Sequence, residues 1–70
     1  RLPQQWAMTQ NNLGSALFEL GKMKKNIDLL IEAKAIIQSV YSYFKDGGEL
    51  HYNEYFDEKL EKIKQSIKKV

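Results

Sequence analysis

The chain reads as an all-α unit, an antiparallel helical hairpin with a third helix packed on it, and three observations predict this. Apolar residues recur at alternating gaps of three and four along three successive stretches. The breaks between those stretches are short and hold turn formers, Gly21 at the first and Asp46-Gly47-Gly48 at the second. One Pro and four Gly among 70 residues, with 43% of the chain hydrophobic, leave little room for long loops or for disorder.

Helix 1 is expected from about Pro3 to Leu20. Pro3 suits a first helical turn, where its missing N–H is of no consequence, and Trp6, Gln10, Leu13, Leu17 and Leu20 then follow one face. Gly21 stands where a left-handed C-cap would end the helix, and Lys22 to Lys25 form a polar connection. Helix 2 is expected over about 26–46, with Asn26 as its N-cap and Asp28 in the first turn, where the helix dipole favours an acid. Its stripe is Leu30, Ala33, Ile37, Val40 and Phe44, flanked by Leu29, Ile36 and Tyr41, wide enough to be contacted on two sides. Helix 3 is expected from near Glu49, with Tyr52, Phe56, Leu60, Ile63, Ile67 and Val70 in line and acids ahead of lysines, as the dipole prefers. Connections this short force neighbours antiparallel, giving a hairpin over residues 1–46 and a terminal helix over 47–70.

Gly14 sits in the middle of helix 1, where glycine costs about 1 kcal/mol relative to alanine. A close backbone approach would offset that, and Ala33 on the stripe of helix 2 is the expected partner. Trp6 is expected to anchor packing on helix 2 or on a neighbouring unit, and the aromatics Tyr41, Tyr43, Tyr52, Tyr55 and Phe56 to build the corner between helices 2 and 3, with Tyr43 off the main stripe and available to a partner.

The phrase Ala7-x-Thr9-x-x-Asn12-Leu13-Gly14 resembles the opening of a tetratricopeptide repeat, of the long kind found in kinesin-light-chain-like and bacterial arrays. The pattern continues with Leu17, where Tyr is usual, Gly21, Ala33 and Ile37, and departs from it at Val40, where a small residue is usual. Gly21 to Ala33 spans twelve residues where the repeat has five, an excess close to two helical turns that keeps the apolar phase. The closing Pro of the family is absent, so the resemblance covers Trp6 to Phe44, and helix 3 reads as a capping helix or a diverged repeat. The resemblance implies a binding scaffold in which first helices line a concave surface. Carried over, it makes Asn12 the holder of an extended peptide's backbone, with Met8, Asn11, Ser15 and Glu19 beside it, and Leu13, Gly14, Leu17, Ala33, Ile37 and Val40 as packing positions. A carboxamide suits that task because it offers donors and an acceptor together.

Other classes find less support. A net charge of +2 and the interleaved acids and lysines of helix 3 argue against nucleic acid, and the same acids make that helix a poor membrane-surface element. The absence of Cys removes disulfides, thiolate zinc sites and thiol nucleophiles, and fits a cytoplasmic protein. His51 and Glu54 are one turn apart, too few for a metal, and no nucleophile has a recognisable base, so neither a cofactor nor an enzymatic activity is expected. The start at Arg1-Leu2-Pro3 reads as a piece of a longer protein. Three functions follow as expectations: a scaffold that binds a protein or peptide partner on the face of helix 1; a self-associating unit that pairs with its own copy or neighbouring repeats through an unfinished apolar face; and, third, a lipid-surface module using helix 3.

Overall fold

The computed structural model describes residues 4–70; Pro3, the expected helix start, lies outside the described residues. Three α-helices follow one another, α1 (Gln4–Lys24), α2 (Ile27–Asp46) and α3 (Asn53–Lys69), with a 3-10 turn, Leu50–Tyr52, leading into the last. The fold is all-α, up-down-up: α1 packs along α2, and α2 along α3. No strand occurs among the described residues.

The first turn differs from expectation in an instructive way. Gly21 is not a cap; it is buried inside α1, which runs one turn further. The left-handed position belongs to Lys25, with φ 51°. Around it the Asn26 N–H donates to the Gly21 carbonyl at 3.0 Å and the Lys25 N–H to the Lys22 carbonyl at 3.3 Å, the paired bonds of a Schellman ending. The second turn repeats the device with Gly48 at φ 78°, the Glu49 N–H donating to the Phe44 carbonyl at 2.9 Å and the Gly48 N–H to the Lys45 carbonyl at 3.0 Å. Only the second uses the residue without a Cβ. Asn26 caps α2 as expected, its Oδ1 accepting from the N–H groups of Asp28 and Leu29 at 3.0 and 3.3 Å. α3 begins four residues later than expected: no side chain caps it, and the 3-10 turn supplies the bond from the Asn53 N–H to the Leu50 carbonyl instead.

The core is centred on α2. Leu30, Ala33, Ile37, Val40 and Phe44, the stripe read from the sequence, are the buried set of that helix, and Phe56, Leu60 and Ile63 meet them from α3. Aromatic rings close the corner between α2 and α3: Phe56 stacks on Tyr41 at 5.5 Å and on Phe44 at 5.7 Å, and Tyr52 meets Phe44 at 4.6 Å. Tyr43 is partly covered rather than free on the surface. It is half-buried against Trp6, ring centroids 5.8 Å apart, which pins the start of α1 to the end of α2.

α1 faces its neighbour with a different set from the one expected. Its buried residues are Ala7, Gly14, Phe18 and Gly21, one position on from the stripe Trp6, Leu13, Leu17 and Leu20. One position is a rotation of about 100°. Trp6 and Leu17 still pack on the core edge, but Leu13 is 45% and Leu20 38% exposed, so Leu13 is not a core residue. The small residues win the contact because they let the helices approach. A Cβ built on Gly14 would stand 2.6 Å from Ile37 Cδ1 and 3.3 Å from Ile36 Cγ2, so the partner of Gly14 is Ile37, not Ala33. A Cβ on Gly21 would stand 2.8 Å from Leu30 Cδ2 and 3.2 Å from the Leu30 backbone nitrogen.

Candidate functional site

α1 and α3 lie on the two flanks of α2 and make no extensive contact of their own. Between them runs a seam. Helix periodicity turns Met8, Asn11, Ser15 and Lys22 of α1 toward it, a row about one helical ridge away from the buried Ala7, Gly14 and Gly21. Tyr55 and Lys59 come from α3, one turn apart on the opposite bank.

A single polar bridge crosses the seam. The Lys59 ammonium donates to Asn11 Oδ1 at 3.2 Å, to the Tyr55 hydroxyl at 2.9 Å and to Ser15 Oγ, and Asn11 Nδ2 donates to the same Tyr55 hydroxyl at 3.3 Å. All three ammonium hydrogens are thereby used. The lysine bond, with that from Asn11 behind it, holds the Tyr55 phenol below the ordinary tyrosine range, because both stabilise the phenolate. On the far side of α3, Tyr41 shifts the other way: partial burial of its ring, and the bond its hydroxyl donates to Asp57 Oδ1 at 2.9 Å, raise it.

On one side of the bridge the seam opens into a groove of about 400 Å³, floored by Ala7, Phe44 and Phe56 and rimmed by Met8, Tyr52 and Tyr55. The size falls in the range that holds a ligand group or a few side chains, about 300–1,000 Å³. On the other side it opens between Lys22, Lys25 and Lys69. The groove is an apolar receptacle with hydrogen-bonding groups at one edge. It can seat a side chain and orient a polar backbone.

The five residues expected at a partner surface thus divide. Asn11 and Ser15 are engaged by Lys59 and form the bridge; Met8, 59% exposed, lines the groove; Asn12 is exposed on the outer shoulder of the α1 bank. Glu19 is also outside, paired with Lys22 at 3.3 Å. Tyr55 and Lys59 were not expected there. Tyr55 is expected from the sequence in the aromatic corner between α2 and α3, yet it is 47% exposed on the seam, and nothing in sequence separates Lys59 from the other lysines of α3. His51 is not among the residues that line the groove; its ring lies 4.3 Å from that of Tyr52 on the rim.

The opposite flank of the hairpin carries Trp6, Leu13, Leu17 and Leu20 from α1 and Ile36 and Tyr43 from α2, an uncharged strip that nothing among the described residues covers fully. Among the described residues no helix is long and apolar enough to cross a membrane. Compared with family models, curated proteins and solved structures, the chain matches none of them.

Proposed function

We propose that the chain is a non-catalytic interaction module of tetratricopeptide-like design, and that the α1–α3 seam receives an extended segment of a partner protein. The observation that carries this is the open groove on the same α1 bank where the sequence places Met8, Asn11 and Asn12. Met8 to Lys22 spans about 21 Å of helix, the reach of about six extended residues. An apolar side chain seated in the groove contributes about 1.5–3 kcal/mol, and Asn12 on the shoulder is free to bond the backbone beside it. Selecting peptides from a displayed random library against the immobilised chain tests this. The expected result is a family of sequences sharing an apolar anchor, weakened several-fold by Asn12→Ala and by Met8→Ser with helicity unchanged. A library that yields no binder, or binders indifferent to both substitutions, removes the seam from consideration.

A second reading has its own support in the strip of Trp6, Leu13, Leu17 and Leu20. Helical repeats bury such faces on neighbours, and here the strip flanks the hairpin on the side away from α3. Sedimentation equilibrium with helicity followed on dilution separates the two. A monomer that stays helical at every concentration favours the seam alone, and a dimer that loses helicity on dilution favours an unfinished stack.

A further inference from the structure

The up-down-up topology brings the C-terminal ends of α1 and α3 to one end of the molecule, beside the start of α2. Both ends are lysine-rich, as C-terminal turns favour. Lys22 and Lys25 of the first turn line one opening together with Lys69 and Ser66, although more than 40 residues separate them in the chain. Residues 19–31 and 61–70 hold seven lysines against three acids, Glu19, Asp28 and Glu61, with Glu19 paired to Lys22 at 3.3 Å, whereas 42–59 at the other end hold five acids against Lys45 and Lys59. The molecule is therefore bipolar, which the small net charge conceals.

The basic end is also apolar at its tip. Met23 stands among Lys22, Lys24 and Lys25 in the sequence and is 79% exposed, the highest value of any large hydrophobic side chain described, and Ile27 and Ile31 in the first turns of α2 are 41% and 50% exposed. Neither the core nor the seam uses these side chains. We infer that this end rests on an anionic lipid surface, with the lysines at the level of the headgroups and Met23 inserted between them. The inference is independent of the seam as a peptide site.

The shape decides between occupants. The body measures 34 × 20 × 12 Å between Cα positions, and the helices run along its length, so an end-on contact offers a cross-section of about 240 Å². A stable protein interface needs about 800 Å² from each partner, about a sixth of this molecule's 4791 Å² of accessible surface and more than the share of one of its two small ends. A membrane has no such requirement: each lysine near an anionic surface strengthens binding about fivefold, and an inserted apolar side chain adds to this. A nucleic acid would use the charges and leave Met23 idle. This is not the apolar stripe of α3 laid flat, because Phe56, Leu60 and Ile63 are already spent on α2.

Vesicle co-sedimentation of the full chain, with mixed phosphatidylcholine–phosphatidylserine vesicles and pure phosphatidylcholine as control, tests it. Binding is expected only with phosphatidylserine present and falls as salt is added. K24S/K68S/K69S should weaken it about a hundredfold, and M23S several-fold, both with unchanged circular dichroism because all four side chains are exposed. Absence of binding overturns the inference, as does a triple variant that binds like the parent. So does an M23S variant that binds normally, or an equal affinity for a DNA duplex, since either result reduces the end to a generic polyanion contact.

Discussion

Replacing Gly21 by alanine should destabilise the fold even though alanine is the better helix former. The intrinsic preference is worth about 1 kcal/mol in favour of the variant. Against it stands the position of the new methyl group, 2.8 and 2.9 Å from Leu30 Cδ2 and Cγ and 3.2 Å from the Leu30 nitrogen. Leu30 is fully buried, and its N–H already donates to the Asn26 carbonyl at 3.3 Å in the first turn of α2, so neither its side chain nor its backbone has free space to yield. Overpacking of this kind costs about 1–3 kcal/mol; contact with backbone points to the upper half of that range. The net expectation is a loss of about 1–2 kcal/mol, a melting temperature lower by about 4–16 °C in a domain of this size. A chain of 70 residues has only about 4–10 kcal/mol to lose. Gly14→Ala is the internal comparison: its methyl group meets side chains only, 2.6 and 3.0 Å from Ile37 Cδ1 and Cγ1 and 3.3 Å from Ile36 Cγ2, and Ile37 is itself fully buried, so this variant should also lose stability, but less than Gly21→Ala because no backbone stands in the way. Urea titrations followed by far-UV circular dichroism measure both. A Gly21→Ala protein as stable as the parent would show that α1 does not pack on α2 at this distance, and the account of the hairpin would fail with it.

Other substitutions probe the turns and the bridge. Lys25→Gly should stabilise the chain by about 0.5–1 kcal/mol, since it relieves a left-handed residue of its Cβ while keeping the Schellman bonds; thermal melting gives the sign directly. Asn26→Ala should cost about 1 kcal/mol by the same assay, because the N–H groups of Asp28 and Leu29 lose their acceptor. In a spectrophotometric titration Tyr55 should ionise below the ordinary tyrosine value and Tyr41 above it, and Tyr55→Phe should remove the lowered phase. The stability linkage has opposite signs for the two. Tyr55, lowered by folding, stabilises the fold increasingly as pH rises from its folded value toward the ordinary value near 10, and Tyr41, raised by folding, destabilises it above about 10.

Sequence periodicity located the helices and the whole buried stripe of α2, because there the large apolar residues and the packed residues are the same. In α1 they are not. Periodicity weights Trp6, Leu13, Leu17 and Leu20, while Ala7, Gly14 and Gly21 make the closest approach with almost no side chain to register. Gly21 also sits where a cap is expected, and only the Schellman bonds around Lys25 reveal that the helix continues past it. The site was half legible: one bank, Met8 to Ser15, follows from the phrase around Asn12. The other bank depends on the rotation of α3 about its axis, which brings Lys59 rather than another lysine to Asn11. Charge was hidden for the same reason, since the basic end arises from two segments joined only by topology.

The most direct test of the seam is amide chemical-shift mapping of the labelled chain with the peptide that binds it best in the selection. The account predicts shifts concentrated at Met8, Asn11, Asn12, Ser15, Tyr55 and Lys59, with the strip at Leu13, Leu17 and Ile36 undisturbed. Shifts concentrated on that strip, with the seam silent, would contradict it and give the partner to the other flank of the hairpin.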